Sequence, residues 1–340
     1  MSAPKFDCLL QVLNREVPER PTLFEFFLND PLYLKLSDFD EYPEYGSLAW
    51  HQLLIQAFGR AGYDYATVRG AFKFTFPVKE VEHKASRSMS ETGVIADRAG
   101  FEAYPWPDPD KHDYSMLDQL APCLPDGMKV IVCGPGGVLE NVMALVGYEP
   151  LCFMLLDDPE LVSDLFAAVG ARLVRHYEIA ARYASVGALI SNDDWGFNTQ
   201  TMLPPELMRT YVFPWHRRIV EVIHAAGKPA LLHSCGNLDE VMDDIIDDMH
   251  YDAKHSYEDK ICPVEDAYER WGRRIATLGG LDLDFICRST PAEVTARAQA
   301  MLARVATRGG YALGTGNSVP YYVPEENYYA MTSAVTDGRD

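Results

Sequence analysis

A histidine and a cysteine stand two residues apart in the segment His233-Ser234-Cys235. Directly before them runs Lys228-Pro-Ala-Leu-Leu232, an apolar stretch that is typical of a buried strand. Side chains at positions i and i+2 of a strand point to the same face, so both can reach one ion. Imidazole and thiolate together favour zinc over magnesium or calcium. The spacing also arises by chance, and the other interpretation is a hydrogen-bonded histidine beside a buried thiol.

Two neighbouring carboxylates, Asp193 and Asp194, follow another apolar run. On a regular strand only one of them faces the inner side. We predict that Asp194, which stands just before Trp195, is the inward one. Its carboxylate is then a metal ligand, a general base or a hydrogen-bond acceptor for a substrate. A helix cap or a loop carboxylate is the alternative interpretation.

Eight short apolar segments carry these and similar residues, and each has the composition of a β-strand. They are Thr22–Phe27, Tyr63–Val68, Lys129–Cys133, Gly187–Asn192, Pro229–Ser234, Tyr251–His255, Ile275–Gly279 and Tyr311–Thr315. Amphipathic stretches with helical spacing lie between several of them, namely Pro159–Ala184, Pro205–Ala226 and Pro291–Arg308. This alternation predicts an α/β protein, a (β/α)8 TIM barrel with parallel strands, as a single domain over residues 1–340. An open doubly wound sheet is the main alternative, but no Gly-x-Gly-x-x-Gly follows the first strand.

The segment from Phe72 to Pro125 is too long for one loop between a strand and a helix. We interpret it as an insertion after the second strand that covers the barrel mouth, and a tethered surface excursion is the other interpretation. Residues 1–20 mix charged and apolar residues at helical spacing, which predicts extra N-terminal helices.

In such a barrel, function concentrates at the carboxyl ends of the strands. Polar residues and glycines gather at nearly every predicted strand end, while the strand bodies stay apolar. The predicted catalytic residues are Glu25, Asp194 and His233, and the predicted substrate-binding residues are Asn192, Trp195, Glu258, Asp282 and Asn317. The stretch Gly134–Gly137 either lets backbone amides approach a ligand or makes a tight turn into a helix.

Charge and composition exclude several functional classes. The net charge of −20 repels phosphate backbones, so we expect no nucleic-acid partner. No uncharged apolar run reaches about 18 residues, so we predict no membrane span, and the N-terminus lacks the pattern of a signal peptide. The seven cysteines show no framework spacing, which indicates reduced thiols and a cytoplasmic protein.

With these motifs, the chain resembles the uroporphyrinogen decarboxylase superfamily, whose fold is the (β/α)8 barrel. The resemblance is strongest from about Gly187 to the C-terminus and loose in the N-terminal third. It is carried by Asp193-Asp-Trp-Gly196, Pro204–Pro214, Lys228–Asn237, Gly279-Gly-Leu-Asp282 and Gly314-Thr-Gly-Asn-Ser-Val319. True decarboxylases carry an arginine-rich stretch near the first strand, where this chain reads Glu19-Arg-Pro-Thr-Leu-Phe-Glu-Phe-Phe-Leu-Asn29. The missing arginine cluster disfavours porphyrinogen decarboxylation.

Within the superfamily, the chain is most similar to the zinc-dependent methyltransferases that act with corrinoid proteins. Their signature is His-x-Cys followed by a late cysteine. His233 and Cys235 match the first half, and Asn317 stands where the late cysteine would be. The resemblance therefore leaves three arrangements open: zinc completed by an oxygen ligand such as Asp194 or Glu25, a weakly bound metal with more oxygen ligands, or no metal.

The function that the resemblance implies is movement of a methyl group between a small methylated substrate and a corrinoid protein. Oxygen ligands suit a substrate other than a thiol, such as a methoxylated aromatic that undergoes O-demethylation. Zinc is the implied metal, and the partner protein is expected to carry the cobalamin. The alternatives are a decarboxylase or lyase of the same fold, and a non-catalytic binding barrel in which Glu25, Asp194 and His233 pair with one another. The sequence leaves the oligomeric state open, with a homodimer among the expectations.

Overall fold

The structure, a computed structural model, describes residues 3–78 and 93–339. Within these residues, seven strands form one sheet in chain order. The strands are β1 Tyr65–Arg69, β2 Lys129–Cys133, β3 Val186–Asn192, β4 Ala230–His233, β5 Ala253–His255, β6 Ala276–Leu278 and β7 Tyr311–Ala312. All neighbouring pairs are parallel, and their buried, apolar bodies fit a sheet that is covered on both faces. The expected parallel α/β architecture is confirmed at this level.

The first predicted strand, Thr22–Phe27, is reduced to a single bridge between Leu23 and Leu313. Two residues after Leu23, the backbone of Glu25 is bonded to a side chain instead of to the backbone of β1. The phenol of Tyr65 accepts the N–H of Glu25 and donates to its carbonyl, at 2.7 Å in each case. The segment thus lies between β7 and β1, which requires the sheet to curl toward itself.

Helices separate and precede the strands. In the described residues they are α1 Phe6–Leu13, α2 Asp30–Lys35, α3 Leu48–Arg60, α4 Arg98–Ala103, α5 Met116–Leu120, α6 Val138–Val146, α7 Tyr148–Asp157, α8 Pro159–Ala180, α9 Pro205–Leu207, α10 Phe213–Ala225, α11 Val264–Trp271, α12 Leu283–Arg288, α13 Pro291–Val305 and α14 Glu325–Thr336. Three of them, α1 to α3, come before β1. No single described helix has the length and apolarity to cross a membrane, although α6 and α7, which meet at an angle of 92°, pass that test as a bent pair.

Local chemistry explains where the long helices begin. The side chain of Asp158 accepts the N–H of Leu161 at the start of α8. Thr290 and Glu293 form a reciprocal capping box at the start of α13. Both helices end a few residues before the ends that the sequence pattern predicts.

The predicted helix Pro205–Ala226 is interrupted. Between α9 and α10 the residues Met208–Val212 form a wider π-helical turn. Pro214 has no N–H to donate to the carbonyl of Thr210, which is the bond that a regular helix would make there. The proline therefore accounts for the local widening.

The insertion after β1 packs mainly against an outer helix. Arg172 and Arg175 of α8 bind the carbonyl of Pro107 and the carboxylate of Asp110. Residues 79–92 of the predicted insertion lie outside the described residues. The described part therefore fits a surface excursion, although its residues 111–113 and 116 line a cleft at the end of β1.

Candidate metal centre

Three side chains converge at the carboxyl ends of β3 and β4: Asp194, His233 and Cys235. One potential ligand atom of each lies within 4.8 Å of the other two. The Sγ of Cys235 is 3.6 Å from Nε2 of His233, and that nitrogen is 4.0 Å from Oδ1 of Asp194. Atoms bound at 2.0–2.3 Å around a tetrahedral zinc lie about 3.5 Å apart, so these separations suit one shared ion after small adjustments.

The sheet register brings these residues together. Asn192 at the end of β3 lies opposite His233 at the end of β4. Alternation then puts Asp194 on the same face as Asn192, and Cys235 on the same face as His233. This is the inner face of the curled sheet, because the ring of Phe26 lies 4.8 Å from that of His233.

Two glycines fix the loops that carry the ligands. Gly236 has a φ of 87°, and a Cβ on it would lie 2.1 Å from the carbonyl oxygen of Gly196. The N–H of Gly196 in turn donates to the carbonyl of Cys235 at 3.1 Å. Any side chain at position 236 would therefore separate Asp194 from Cys235.

The sulfur of Cys235 is surrounded by donors. The hydroxyl of Ser256 and the amide Nδ2 of Asn317 each lie 3.2 Å from it. Burial raises the pKa of the Cys235 thiol to about 12, and the negative charge of Asp194 contributes in the same direction. A cation in the group would offset both effects and stabilise the thiolate.

A second histidine lies within hydrogen-bond distance of the first. Nδ1 of His233 lies 2.8 Å from Nδ1 of His255. Burial lowers the pKa of His233 to about 4 and that of His255 well below its usual value, so both rings are neutral. If His233 donates from Nδ1, its Nε2 keeps a lone pair directed at Asp194 and Cys235, which is the form that binds a metal.

Ser256 has an unusual backbone conformation beside this group. Its φ is 83°, a region that non-glycine residues rarely adopt. The carbonyl of Ser256 accepts a bond of 2.6 Å from the ammonium of Lys254, which is buried and also lies 4.3 Å from the ring of Tyr257. A backbone conformation as costly as that of Ser256 persists where the surrounding contacts hold it in place.

Asp193 points away from the group and anchors α6. Its carboxylate accepts the N–H groups of Leu139 and Glu140 and a bond from Nε2 of His216, each at 2.9 Å. A Cβ on Gly137 would lie 2.0 Å from Asp193, so this glycine is explained by close packing where a loop enters a helix. The inward choice of Asp194 over Asp193 agrees with this geometry.

Sequence reasoning missed Glu140, His255 and Ser256. Burial, together with the negative charges of Asp193 and Asp194, raises the pKa of Glu140 to about 8. The sequence feature that could have identified Glu140 is its position in the first turn of α6, directly after the glycine-rich stretch Gly134–Gly137. His255 and Ser256 belong to a strand end that the sequence identified, but there Glu258 was preferred.

The predicted substrate-binding residues lie in several places around the ligand group. Glu258, Asp282 and Asn317 line one cleft together, and Asp282 also caps α12 through Phe285. Asn192 lies on the inner face, and its buried Oδ1 has no hydrogen-bond partner among the described residues. Trp195 is fully buried, with its ring 4.8 Å from that of His216, and does not line the group.

Glu25 also stays apart from the ligand group. Its two carboxyl oxygens bond the N–H and the hydroxyl of Thr315 at 2.6 and 2.8 Å. Phe24 and Phe26, its neighbours, lie against His255 and His233 on the inner face, so alternation puts Glu25 on the outer face. Burial raises the pKa of Glu25 to about 8.

A family model and one solved structure agree with the fold. The sequence model of a family described as "Uroporphyrinogen decarboxylase (URO-D)" matches residues 89–338. A solved structure, a methyltransferase from Methanosarcina mazei, superposes with a TM-score of 0.73 and 15% identity, and 97% of each chain is covered. Xylanase B from Clostridium stercorarium F9 superposes with a TM-score of only 0.37 and 10% identity, over 67% of this chain and 83% of that one. No curated protein matches the sequence.

Proposed function

The chain belongs to the uroporphyrinogen decarboxylase (URO-D) family, and from this membership and the ligand group we propose that it is a metal-dependent methyltransferase. The proposed reaction moves a methyl group from a small methylated compound, such as a methoxylated aromatic, to a corrinoid protein. Zinc is the proposed metal, and the corrinoid belongs to the partner protein.

The observation that carries the proposal is the convergence of Asp194, His233 and Cys235 on one point. One imidazole, one thiolate and one carboxylate form a three-ligand set, and catalytic zinc sites hold three protein ligands and one open position. When bound, zinc would supply Lewis acidity at the leaving atom of the methyl donor. The likeness to the Methanosarcina methyltransferase supports the same choice through the fold alone.

The residues of this chain have distinct parts in that scheme. Cys235 and Asp194 contribute two negative charges, which balance a divalent ion. Asp194 is also held in place, because its Oδ1 accepts the N–H of Cys235 at 2.9 Å. His255 accepts the Nδ1 proton of His233 and so keeps Nε2 available.

The proposed transfer breaks one carbon–oxygen bond and forms one bond from the methyl carbon to the corrinoid. The bond between the methyl carbon and the ether oxygen breaks, and its electron pair stays on the oxygen, which takes up a proton. The methyl group passes to the nucleophile that the partner's corrinoid supplies. The carboxyl ends of the strands must therefore stay accessible to a second protein.

Two alternatives have less support. Porphyrinogen decarboxylation would need free arginines near the first strand, but Arg20 is bonded to Asp64 at 2.6 Å. A non-catalytic binding barrel would be favoured by pairing of Glu25 with Asp194 and His233. In the part of the chain that the structure describes, Glu25 bonds Thr315 instead.

The test is methyl transfer from a methoxylated aromatic to free cob(I)alamin, with zinc-loaded protein. We expect transfer with the wild-type protein, loss with Cys235→Ser, and full activity with Cys287→Ser, a matched change on α12. Equal activity of Cys235→Ser and wild type would contradict the proposal. Release of carbon dioxide from uroporphyrinogen would favour the decarboxylase instead.

A further inference from the structure

Two neighbouring residues of β5 face opposite sides of the sheet. Lys254 and His255 lie opposite Leu232 and His233 of β4. The ring of His255 approaches that of His233 on the inner face, so alternation puts Lys254 on the outer face. Neither the metal ligands nor the proposed methyl transfer accounts for a lysine on that face.

Lys254 is a buried cation without an acidic partner. It is 4% exposed, and it forms no ion pair with any residue that the structure describes. Its ammonium donates to the carbonyl of Ser256 at 2.6 Å and lies 4.3 Å from the centroid of the Tyr257 ring. A lysine is almost never fully buried unless it is paired, because the removal of its charge from water is costly. A lysine that stays in such a place is typical of a functional site.

The contact of Lys254 continues to the metal centre through Ser256. The backbone of Ser256 has a φ of 83°, and its hydroxyl lies 3.2 Å from the sulfur of Cys235. Rotation about the N–Cα bond of a residue moves its carbonyl and its side chain together. The bond that fixes the carbonyl of Ser256 therefore also fixes the hydroxyl that donates to Cys235.

Charge provides a second link between Lys254 and the ligand group. Burial lowers the pKa of Lys254 to about 8, and the negative charges of Cys235 and Asp194 act in the opposite direction. The lysine is therefore mostly protonated at neutral pH. The interaction is mutual, since a positive charge stabilises the ionised forms of acidic groups near it.

A small cavity beside Lys254 leaves room for a larger cation. Its volume is about 30 Å³, and Gly236, Ser256, Cys262 and Trp271 line it together with the lysine. This is the space of about one water molecule. An arginine at position 254 can use that space and still direct an N–H group at the carbonyl of Ser256.

We propose that Lys254 is a positioning residue of the metal centre, which holds Ser256 in the conformation that directs its hydroxyl at Cys235 and places a positive charge behind the sulfur. This role rests on the proposed function, because it concerns the metal that Cys235 is proposed to bind. His255 and Lys254 then divide the work on β5: His255 orients His233, and Lys254 orients the donor to Cys235.

The test combines crystal structures of the metal-free protein with zinc affinities at pH 7, measured on the full chain by competition with a chromophoric chelator. In Lys254→Met we expect Ser256 to leave the positive-φ region, its hydroxyl to leave Cys235, and zinc affinity to fall about 10- to 100-fold. Lys254→Arg keeps the donor and the charge, so it should keep the conformation of Ser256 and most of the affinity.

Lys228→Met is the matched control. Lys228 also donates to a backbone carbonyl, that of Tyr183 at 2.5 Å, and burial also lowers its pKa to about 8. It precedes β4 and lies at the opposite end of the sheet from Cys235. Its replacement should leave Ser256 and the zinc affinity as they are. If Lys254→Met fails to fold by circular dichroism, Lys254→Gln takes its place, and the same loss is expected because the charge is gone.

An unchanged conformation of Ser256 in Lys254→Met would overturn the role, as would an unchanged zinc affinity or an equal loss in Lys254→Arg. The crystal structures do not depend on zinc. If wild-type protein binds no zinc, the proposed function fails, while movement of Ser256 in Lys254→Met alone still supports Lys254 as the residue that positions it. Methyl transfer by the wild type together with an unmoved Ser256 in Lys254→Met would contradict only this role.

Discussion

The side-chain amide of Asn317 lies 3.2 Å from the sulfur of Cys235. Its nitrogen faces the sulfur because the amide oxygen accepts the backbone N–H of Ser318 at 2.8 Å. Asn317 thus donates to the sulfur.

Replacement of Asn317 by cysteine should tighten zinc binding at least about tenfold, or ~1.4 kcal/mol. The reason is that a second thiolate would join Cys235 around the ion. Competition with a chromophoric chelator measures the change, and Asn317→Ser is the control that should not tighten binding. An unchanged affinity in Asn317→Cys would place the metal away from residue 317.

A glycine at position 256 should raise the stability of the metal-free protein and weaken zinc binding. Ser256→Gly relieves the positive φ of 83°, so the metal-free protein should gain about 1 kcal/mol in urea unfolding. The same change removes the hydroxyl donor to Cys235 and should weaken zinc binding. Ser256→Ala loses the hydroxyl but keeps the strain, so it should weaken zinc binding without the gain in stability. Equal stability of the two variants would show that the backbone there is not strained.

His255 should matter for metal affinity although it is not a ligand in this account. His255→Phe removes the acceptor for the Nδ1 proton of His233, and zinc affinity should fall about 10- to 100-fold. His255→Gln can still accept that proton and should retain most of the affinity. Titration with a chromophoric chelator measures the zinc affinity of both variants. Equal losses in His255→Phe and His255→Gln would show that His255 does not set the tautomer of His233.

Glu25 should make stability depend on pH. Its pKa is raised to about 8 in the folded protein by burial, whereas it is about 4.3 in an unfolded chain. Between these values the folded state binds one proton more, so the unfolding free energy should fall as pH rises, by up to ~1.4 kcal/mol per pH unit. The aromatic groups near it, Tyr63, Tyr65, Tyr311 and Tyr328, have raised pKa values and stay neutral over this range.

Urea unfolding from pH 5 to pH 8 measures this slope in wild type, Glu25→Gln and an exposed control, Glu102→Gln. We expect a shallower slope in Glu25→Gln alone. Parallel curves for all three proteins would show that Glu25 is ionised in the folded state.

The helical spacing of apolar residues and their alternation in strands predicted much of the fold. Seven of the eight predicted strands are present. Alternation predicted that His233 and Cys235 share a face and that only one of Asp193 and Asp194 faces inward, and Asp194 was chosen for its place before Trp195. The same rule, applied to Phe24 and Phe26, would have put Glu25 on the outer face. Glu25 was instead predicted as a catalytic residue because its carboxylate lies in a predicted strand of the barrel.

Other features depend on contacts that sequence does not reveal. The contact between His233 and His255 requires two strands in a particular register. The first predicted strand is replaced by a bridge, because the hydroxyl of Tyr65 bonds the backbone groups of Glu25. The break between α9 and α10 has a visible cause in the sequence, Pro214, although the apolar spacing predicted one continuous helix over Pro205–Ala226.

We propose that Asp194, His233 and Cys235 hold one zinc ion. X-ray absorption at the zinc edge, combined with metal analysis of the purified protein, is the decisive experiment. We expect one zinc per chain, with a single sulfur at about 2.3 Å and nitrogen or oxygen neighbours at about 2.0–2.2 Å. His233→Ala should lose the ion and Cys235→Ser should lose the sulfur signal, while Cys287→Ser should keep both. Wild-type protein without zinc, or with zinc that has no sulfur neighbour, would show that these three residues do not form the site.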